Sequence, residues 1–370
     1  MTQRERQILR WIEENPMISQ QELADRAGIT RSSMGVHISN MMKKGIIAGK
    51  GYILPTESFA AVVGGVNVDI GGFSHAALVP GDSNPGRVRM SLGGVGRNIA
   101  HNMALLGLDA RMVTVLGDDA HAERIAASCG ELGIDLAKSL RVPGGTTSTY
   151  LFIADSGGDM SVAVSDMEIY RHLTPAALSA RLSFLNRAQV LVLDTNIPEE
   201  SVHWLCTHAE PPIFADPVSA AKAEKLRPVL GRLNTLKPNR IEAELLSGVK
   251  ITDEKSLNRA ADKLLETGLH RVFLTLGADG VLAADGTHRL RCSAGGGTVV
   301  NTTGSGDAFL AALVWAYLQG TDLLESTAAG MAAASLAMES AETINPAMSA
   351  EALTTRMQSM KNRITTEERI

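Results

Sequence analysis

Apolar residues at Ile8, Leu9, Trp11 and Ile12 recur at helical spacing, and Pro16 closes that segment. Ser19, followed three residues later by Glu22, forms a capping box that opens a second helix, with Leu23, Ala24 and Ala27 as its apolar stripe and Gly28 as its turn. A third helix is expected from Thr30, burying Met34, Ile38, Met41 and Met42 and leaving Arg31, Ser32, Ser33, His37 and Lys43 outside. Gly45 ends it, and IIAGKGYIL reads as two short strands around a Gly-Lys-Gly tip. From Ala60 the period changes. AAVVGGVNVDIGG, ARMVTVLGD, QVLVLDTNI, PIFADPV, NTLKPN and HRVFLTLGADG are each an apolar strand running into polar residues or Gly, with amphipathic helices between them. This alternation predicts an α/β domain with a largely parallel central sheet, whose chemistry gathers at the carboxyl ends of its strands. Two segments break the rhythm: SHAALVPGDSNPGRVRMSLGG and TTSTYLFIADSGGDMSVAVSDM read as short antiparallel strands around Gly and Pro turns. They predict a small β sheet standing off the body as a lid, over residues 70–92 and 145–168.

Composition adds exclusions. The 370 residues are 45% hydrophobic and 20% charged with 13 Pro, which excludes collagen-like and low-complexity classes. Three Cys (Cys129, Cys206, Cys292), far apart and without CxxC or Cys/His spacing, argue against a disulfide framework or a zinc site. The start MTQRERQILRWIEENP lacks the apolar core of a secretory signal. The longest apolar run, Ala308 to Leu318, falls short of the roughly 20 residues that span a bilayer. A cytoplasmic protein without a membrane partner is expected. The net charge of −5 hides an asymmetry: residues 1–54 carry +3 and the rest −8, which suggests two parts with different partners.

The sharpest chemical signal is Asn301-Thr302-Thr303-Gly304-Ser305-Gly306-Asp307, preceded by a strand-like TVV and followed by the helix AFLAALVWAYLQG. A Gly-rich turn at a helix N-terminus offers free N–H groups and a positive dipole end to a phosphate, and Asp307 in that cup is a candidate general base. Taken alone, the motif would equally suit an N-capped helix with Asp307 as a first-turn acid. No GxxxxGK[ST] occurs, so a P-loop enzyme is not expected.

TTGSGDAF does not stand alone. Together with Gly93-Gly94-Val95-Gly96-Arg97-Asn98, Thr235-Leu236-Lys237-Pro238-Asn239-Arg240-Ile241-Glu242 and Thr275-Leu276-Gly277-Ala278-Asp279-Gly280, it resembles the ordered signatures of the ribokinase-like (PfkB) carbohydrate kinases, over residues 60–348. The head resembles a winged helix-turn-helix. The combined expectation is a ribokinase-like three-layer α/β domain at 57–370, with a mostly parallel central sheet and a small β lid, preceded by a winged helix-turn-helix domain at 1–56.

The kinase resemblance implies in-line phosphoryl transfer from ATP to a hydroxyl. Asp307 would be the base and the N–H groups of Gly304, Ser305 and Gly306 the anion hole. Asn239 and Glu242 would order Mg²⁺ around the ATP phosphates, with Glu244 competing for that role on sequence alone. Thr275, Gly277 and Gly280 would face the nucleotide, and Asn345 would line the adenine pocket. Asn301 stands where many relatives carry an Asp beside a monovalent cation, which leaves activation by K⁺ open.

On the acceptor side, Asn67, Asp69, Gly94 and Asn98 would hold sugar hydroxyls. Within the family the sequence is most similar to bacterial pseudouridine kinases, through Gly72-Phe73-Ser74-His75, Asp82-Ser83-Asn84-Pro85-Gly86, GGVGRNIAHNMALLG, Asp216-Pro217-Val218-Ser219 and TLKPNRIEAE. That similarity implies Asp82, Asn84, Thr149 and Asp166 as lid contacts to a base. Inosine, guanosine or a simple sugar are rival acceptors, and a ligand-sensing regulator on a kinase fold is the alternative to an enzyme. The helix-turn-helix resemblance implies DNA contacts from Arg31, Ser32, Ser33 and His37, with Lys50 on the wing. A homodimer is expected, because lid sheets of this family often support dimers and winged helices usually bind DNA as dimers.

Overall fold

The computed structural model describes residues 1–49, 58–157, 159–295 and 299–366. The chain divides into two compact units, Met1–Ser58 and Phe59–Ile370.

In the first unit, helices Gln3–Glu14, Gln20–Ala27 and Arg31–Lys43 start at Thr2, Ser19 and Thr30, whose hydroxyls accept N–H groups of the first turn. Their apolar stripes meet in a small core of Ile8, Ile12, Ile18, Leu23, Met34, Ile38, Met41 and Ile47. Met42 departs from expectation: it is 39% exposed, because the stripe of the third helix closes on Met34, Ile38 and Met41. Lys50 and most of the expected hairpin lie outside the described residues.

The second unit contains β1 (Ala60–Val63), β2 (Asn67–Ser74), β3 (Gly86–Gly93), β4 (Ala110–Val113), β5 (Val115–Leu116), β6 (Leu140–Arg141), β7 (Thr149–Ala154), β8 (Met160–Asp166), β9 (Val190–Asp194), β10 (Ile213–Asp216), β11 (Thr235–Leu236), β12 (Arg271–Thr275), β13 (Val281–Asp285), β14 (Arg289–Cys292) and β15 (Ile364–Thr366). The main sheet runs β15-β14-β13-β12-β11-β10-β9-β1-β4. Pairing is parallel from β4 to β12 and antiparallel from β12 to β15. Alternate residues feed two cores. Ala60, Val62, Val190 and Val192 face one side with the helices Val95–Leu105 and Ser305–Leu318, while Ala61, Val63, Leu191 and Leu193 face the other with Glu199–His208 and Glu254–Leu265. Helix, sheet and helix thus make the three layers.

The lid is a four-stranded sheet, β3-β2-β7-β8. The expected antiparallel pairs form, β2 with β3 and β7 with β8, and the structure departs from the sequence reading at three points. The run AAVVGGVNVDIGG is not one strand: it breaks at Gly64–Val66, leaving β1 in the main sheet and sending β2 into the lid. Within the lid, β2 and β7 pair in parallel, which a run of hairpins could not produce. Of the TVV before the glycine turn, Thr298 lies outside the described residues, and Val299 and Val300 are exposed and in no strand, with Val300 N–H donating to Met338 O.

Candidate active site

Strand register assembles the floor of the site. β9 and β10 pair Asp194 with Asp216, and β10 and β11 pair Ala215 with Leu236, so Asp194, Asp216 and Lys237 emerge side by side from three adjacent carboxyl ends. Lys237 Nζ sits 3.1 Å from Asp216 Oδ2, both buried. Burial works against the Lys237 ammonium, but Asp216, Glu242 and Asp307 together hold its pKa above the usual lysine value. The other Asp216 oxygen accepts Val218 N–H in an Asx turn, and Val218 is held at φ 65°. A β-branched residue there is strained, and such strain clusters beside functional sites.

Against this floor stands the first turn of Ser305–Leu318. Gly304 takes φ 82°, and a Cβ there would lie 2.2 Å from Thr343 O, so only glycine fits. A Cβ on Gly306 would meet Lys237 Nζ at 3.2 Å, which places the ammonium against the cup. Ser305 N–H is already engaged with Thr302 O at 3.3 Å, whereas helix geometry leaves the N–H groups of Gly306 and Asp307 without carbonyl partners. Asp307 Oδ2 accepts a 2.9 Å hydrogen bond from Asn98 Nδ2. Burial, reinforced by the charges of Asp216 and Asp194, pushes the Asp307 carboxyl up to about 7, although Asn98 and Lys237 pull the other way. A carboxylate poised there is suited to taking a proton from an alcohol.

Asn98 comes from the helix Val95–Leu105, docked by an approach that glycine permits. Gly94 has φ 96°, and its Cβ would strike Val66 Cα at 2.5 Å. Asp194 Oδ2 accepts N–H groups of both Gly65 and Gly96 at 2.7 Å, tying the end of β1 to that helix. Burial raises the Asp194 carboxyl even so. Asn98 Oδ1 is buried without a protein partner, an acceptor open to a ligand hydroxyl. One step up the lid, Asn67 Nδ2 donates to Asp69 Oδ1, and burial raises Asp69 to about 6.

On the other side of the glycine turn lies a cleft of about 640 Å³ lined by Asn239, Thr275, Gly277, Gly280, Ser305 and Gly306, with Ser335, Met338 and Glu339 at its margin. Asn239 and Glu242 form a capping box, with Asn239 N–H donating to Glu242 Oε2 and Glu242 N–H to Asn239 Oδ1. Glu242 is buried beside Lys237 and Asp216, and burial raises its pKa. Glu244 instead pairs outward with Lys250 at 2.7 Å, so of the two acids only Glu242 is buried beside Lys237 and Asp216. Among the described residues no three His, Cys, Asp or Glu side chains converge as a metal-binding group. A hard cation bound mainly through phosphate oxygens and water needs no such cage, and Glu242 suits it.

The structure leaves six expected residues away from this assembly. Asn345 is a turn residue: Nδ2 donates to Leu336 O and Oδ1 accepts Ala347 N–H, so both polar atoms are used inside the fold. Asn84 binds both backbone groups of Val79, and Asp82 accepts Ser83 N–H, at the tip of the β2–β3 hairpin. Thr149 and Asp166 are register partners, and Thr149 pairs with Val68. Side chains alternate along a strand, so both project to the face opposite Asp69. Asn301 bonds Thr303 N–H and Ala341 O. Conversely, Lys237, Asp216 and Asp194 had no expected role. Lys237 stood inside the quoted TLKPN motif, and its position at a strand end was the available signal.

A nucleotide-sized cleft, a glycine turn at a helix N-terminus and a poised carboxylate define a phosphotransferase with an alcohol acceptor, on a ribokinase-like fold. Residues 57–350 match the pfkB family of carbohydrate kinases, and the chain belongs to that family. Residues 1–48 match a winged helix-turn-helix DNA-binding family. Among relatives, an uncharacterized sugar kinase of Escherichia coli, YeiI, is 37% identical over 95% of this chain and 98% of its own. The pseudouridine kinase of Escherichia coli is 39% identical over 79% of this chain and 94% of its own. A carbohydrate kinase from Agrobacterium tumefaciens superposes with a TM-score of 0.75 at 27% identity, covering 84% of this chain and all of that one.

Proposed function

We propose that this nucleoside or sugar kinase transfers the γ-phosphoryl group of ATP to the primary ribose hydroxyl of a nucleoside, with pseudouridine as the preferred acceptor. The observation that carries this reading is Asp307, buried in the first turn of the helix Ser305–Leu318, hydrogen-bonded by Asn98 and raised to about 7. Asp307 takes the hydroxyl proton as the acceptor oxygen bonds to the γ-phosphorus and the bond from that phosphorus to the bridging oxygen breaks. Gly306 and Asp307 N–H groups and Lys237 face the developing negative charge. Asn67, Asp69 and Asn98 orient the sugar, and Thr275, Gly277 and Gly280 bed the nucleotide. Mg²⁺, held through Glu242 and the phosphates, would supply charge neutralisation there. The Escherichia coli pseudouridine kinase similarity supports the choice of acceptor. An acceptor panel of pseudouridine, uridine, inosine, guanosine and ribose, read as ADP release, tests it: kcat/KM highest for pseudouridine is expected, and a preference for another acceptor overturns the choice.

The winged helix is proposed to bind DNA. Arg31, Ser32 and Ser33 are exposed at the start of its third helix, with His37 half-buried one turn on. Salt-sensitive binding to promoter DNA, lost on deleting residues 1–54, is expected. The lid is proposed to pair two copies of the chain through Val88, Met90, Leu151, Val162 and Val164, an exposed apolar sheet face. A dimer by sedimentation that Val162→Glu dissociates is the expected result.

A further inference from the structure

We propose that the lid face carrying Asp69 is built as an aromatic wall, formed by Phe73 and Phe152 with Tyr150 at its edge, against which a planar heterocyclic base of the acceptor packs. This inference rests on the kinase reading and on Asp69 as a sugar anchor.

Along β2, Asn67, Asp69, Gly71 and Phe73 point to one face, and Val68, Ile70 and Gly72 to the other. The register with β7 pairs Asp69 with Tyr150 and Gly71 with Phe152, and paired residues share a face. Tyr150 and Phe152 therefore stand on the side of Asp69. The rings form a connected group: Phe73 and Phe152 meet edge to face with centroids 5.7 Å apart, and Tyr150 lies 6.0 Å from Phe152. Arg89, opposite Gly71 on β3, places its guanidinium 5.8 Å from the Phe73 ring centre.

Gly71 shows where the rings lie. A Cβ there would be 2.6 Å from Phe152 Cζ and 2.9 Å from Phe73 Cε2, so both rings lean over the strand backbone two residues beyond Asp69. Two residues of strand are about 7 Å. A sugar anchored at Asp69 would therefore turn a planar group attached to it toward the rings, whereas a lone ribose carries no such group.

The residue choice is selective. The chain has only 7 Phe, 4 Tyr and 3 Trp, yet three of them meet on this face, all half-buried, while the opposite face is covered with Val, Met and Leu. Excluding water needs only apolar surface. Flat π faces additionally favour a stacked ring.

The test compares kcat/KM for pseudouridine and for ribose in the full chain. Phe152→Ala is expected to lower the pseudouridine-to-ribose ratio about tenfold or more, with the KM for ATP unchanged. Phe152→Leu, which keeps volume without a flat face, shifts the ratio the same way, and Phe152→Tyr restores it. Gly71→Ala, which displaces both rings without removing either, also lowers it. A ratio unchanged in Phe152→Ala, or fully retained in Phe152→Leu, overturns the wall. Should the wild-type chain phosphorylate no acceptor, calorimetric titration of pseudouridine in the presence of ADP separates the two ideas. Binding to wild type that Phe152→Ala abolishes upholds the wall while the kinase reading fails, and absence of binding to wild type overturns the wall as well.

Discussion

At the floor of the cleft, Asp194, Asp216 and Lys237 are buried and fixed by the register of three adjacent parallel strands, whereas on the outer face of the lid Val88 is 75% and Val164 60% exposed. Floor polar groups answer one another across the chain: Asp216 to Lys237, Asp194 to Gly65 and Gly96, Asp307 to Asn98. Lid-tip polar groups answer only their own loop, as Asn84 does to Val79. A floor of this kind sets reaction geometry to a fraction of an ångström, and a lid of the other kind selects what is covered. Chemistry should therefore fail steeply when the floor is altered, and acceptor choice should shift when the lid is.

The largest effect is expected at Asp307. Asp307→Asn should lose about 10²- to 10⁴-fold in turnover, measured as ADP release with the best acceptor, and near wild-type turnover would remove the base from the mechanism. In the wild-type enzyme kcat/KM should rise with pH through about 7 as this carboxyl ionises, and that limb should vanish in the Asn variant. Stability has the opposite sign. Because folding raises this pKa, the folded state favours the protonated carboxyl, and stability is lost as pH climbs from the ordinary carboxylate range through about 7. Asp307→Asn should thus melt no lower than wild type at pH 8, with its relative advantage shrinking toward pH 4.

Next comes Lys237→Met, which strands Asp216 in a buried site and should cost about 3 to 5 kcal/mol of stability by thermal or denaturant melts. Adding Asp216→Asn should restore most of that stability. Turnover should stay at least about tenfold down, because the double variant still lacks the ammonium beside Gly306. Recovery of activity along with stability would reduce Lys237 to a structural ion pair. A smaller effect is expected for Asn98→Leu. Its hydrogen bond favours the ionised Asp307, so losing it should move the pH limb of kcat/KM upward, and an unmoved limb would separate Asn98 from the base.

What could be read in advance follows the same division. Each floor strand announces itself as an apolar run ending in a polar residue, and TTGSGD sits in a turn that needs glycine at Gly304. The Asp216–Lys237 contact was not legible, because it depends on the register of two strands and no local pattern encodes that. Nor was the passage of the chain from sheet to lid at Gly64–Val66, where hydrophobicity continues unbroken while the backbone changes partners. Asn345 misled for a related reason. An Asn before Pro can face a ligand or close a turn, and only the neighbouring Leu336 and Ala347 backbone groups decide between them.

The smallest effect is expected at the lid tip. Asp69 pairs with Ser91, and the hairpin's last pair, Ser74 with Gly86, lies five residues further along, about 17 Å at the usual rise of a strand. Asp82 lies beyond that pair, exposed, with its carboxylate turned to Ser83 N–H. Asp82→Ala should therefore change the KM for the nucleoside by less than about twofold, in line with surface positions that touch little else. Asn84→Ala, which removes its bonds to Val79, should loosen the loop by hydrogen exchange and leave kcat alone. A rise in KM of tenfold for Asp82→Ala would mean that the tip folds down onto the acceptor. The lid would then share in binding geometry as the floor does, and the division of labour between them would fail.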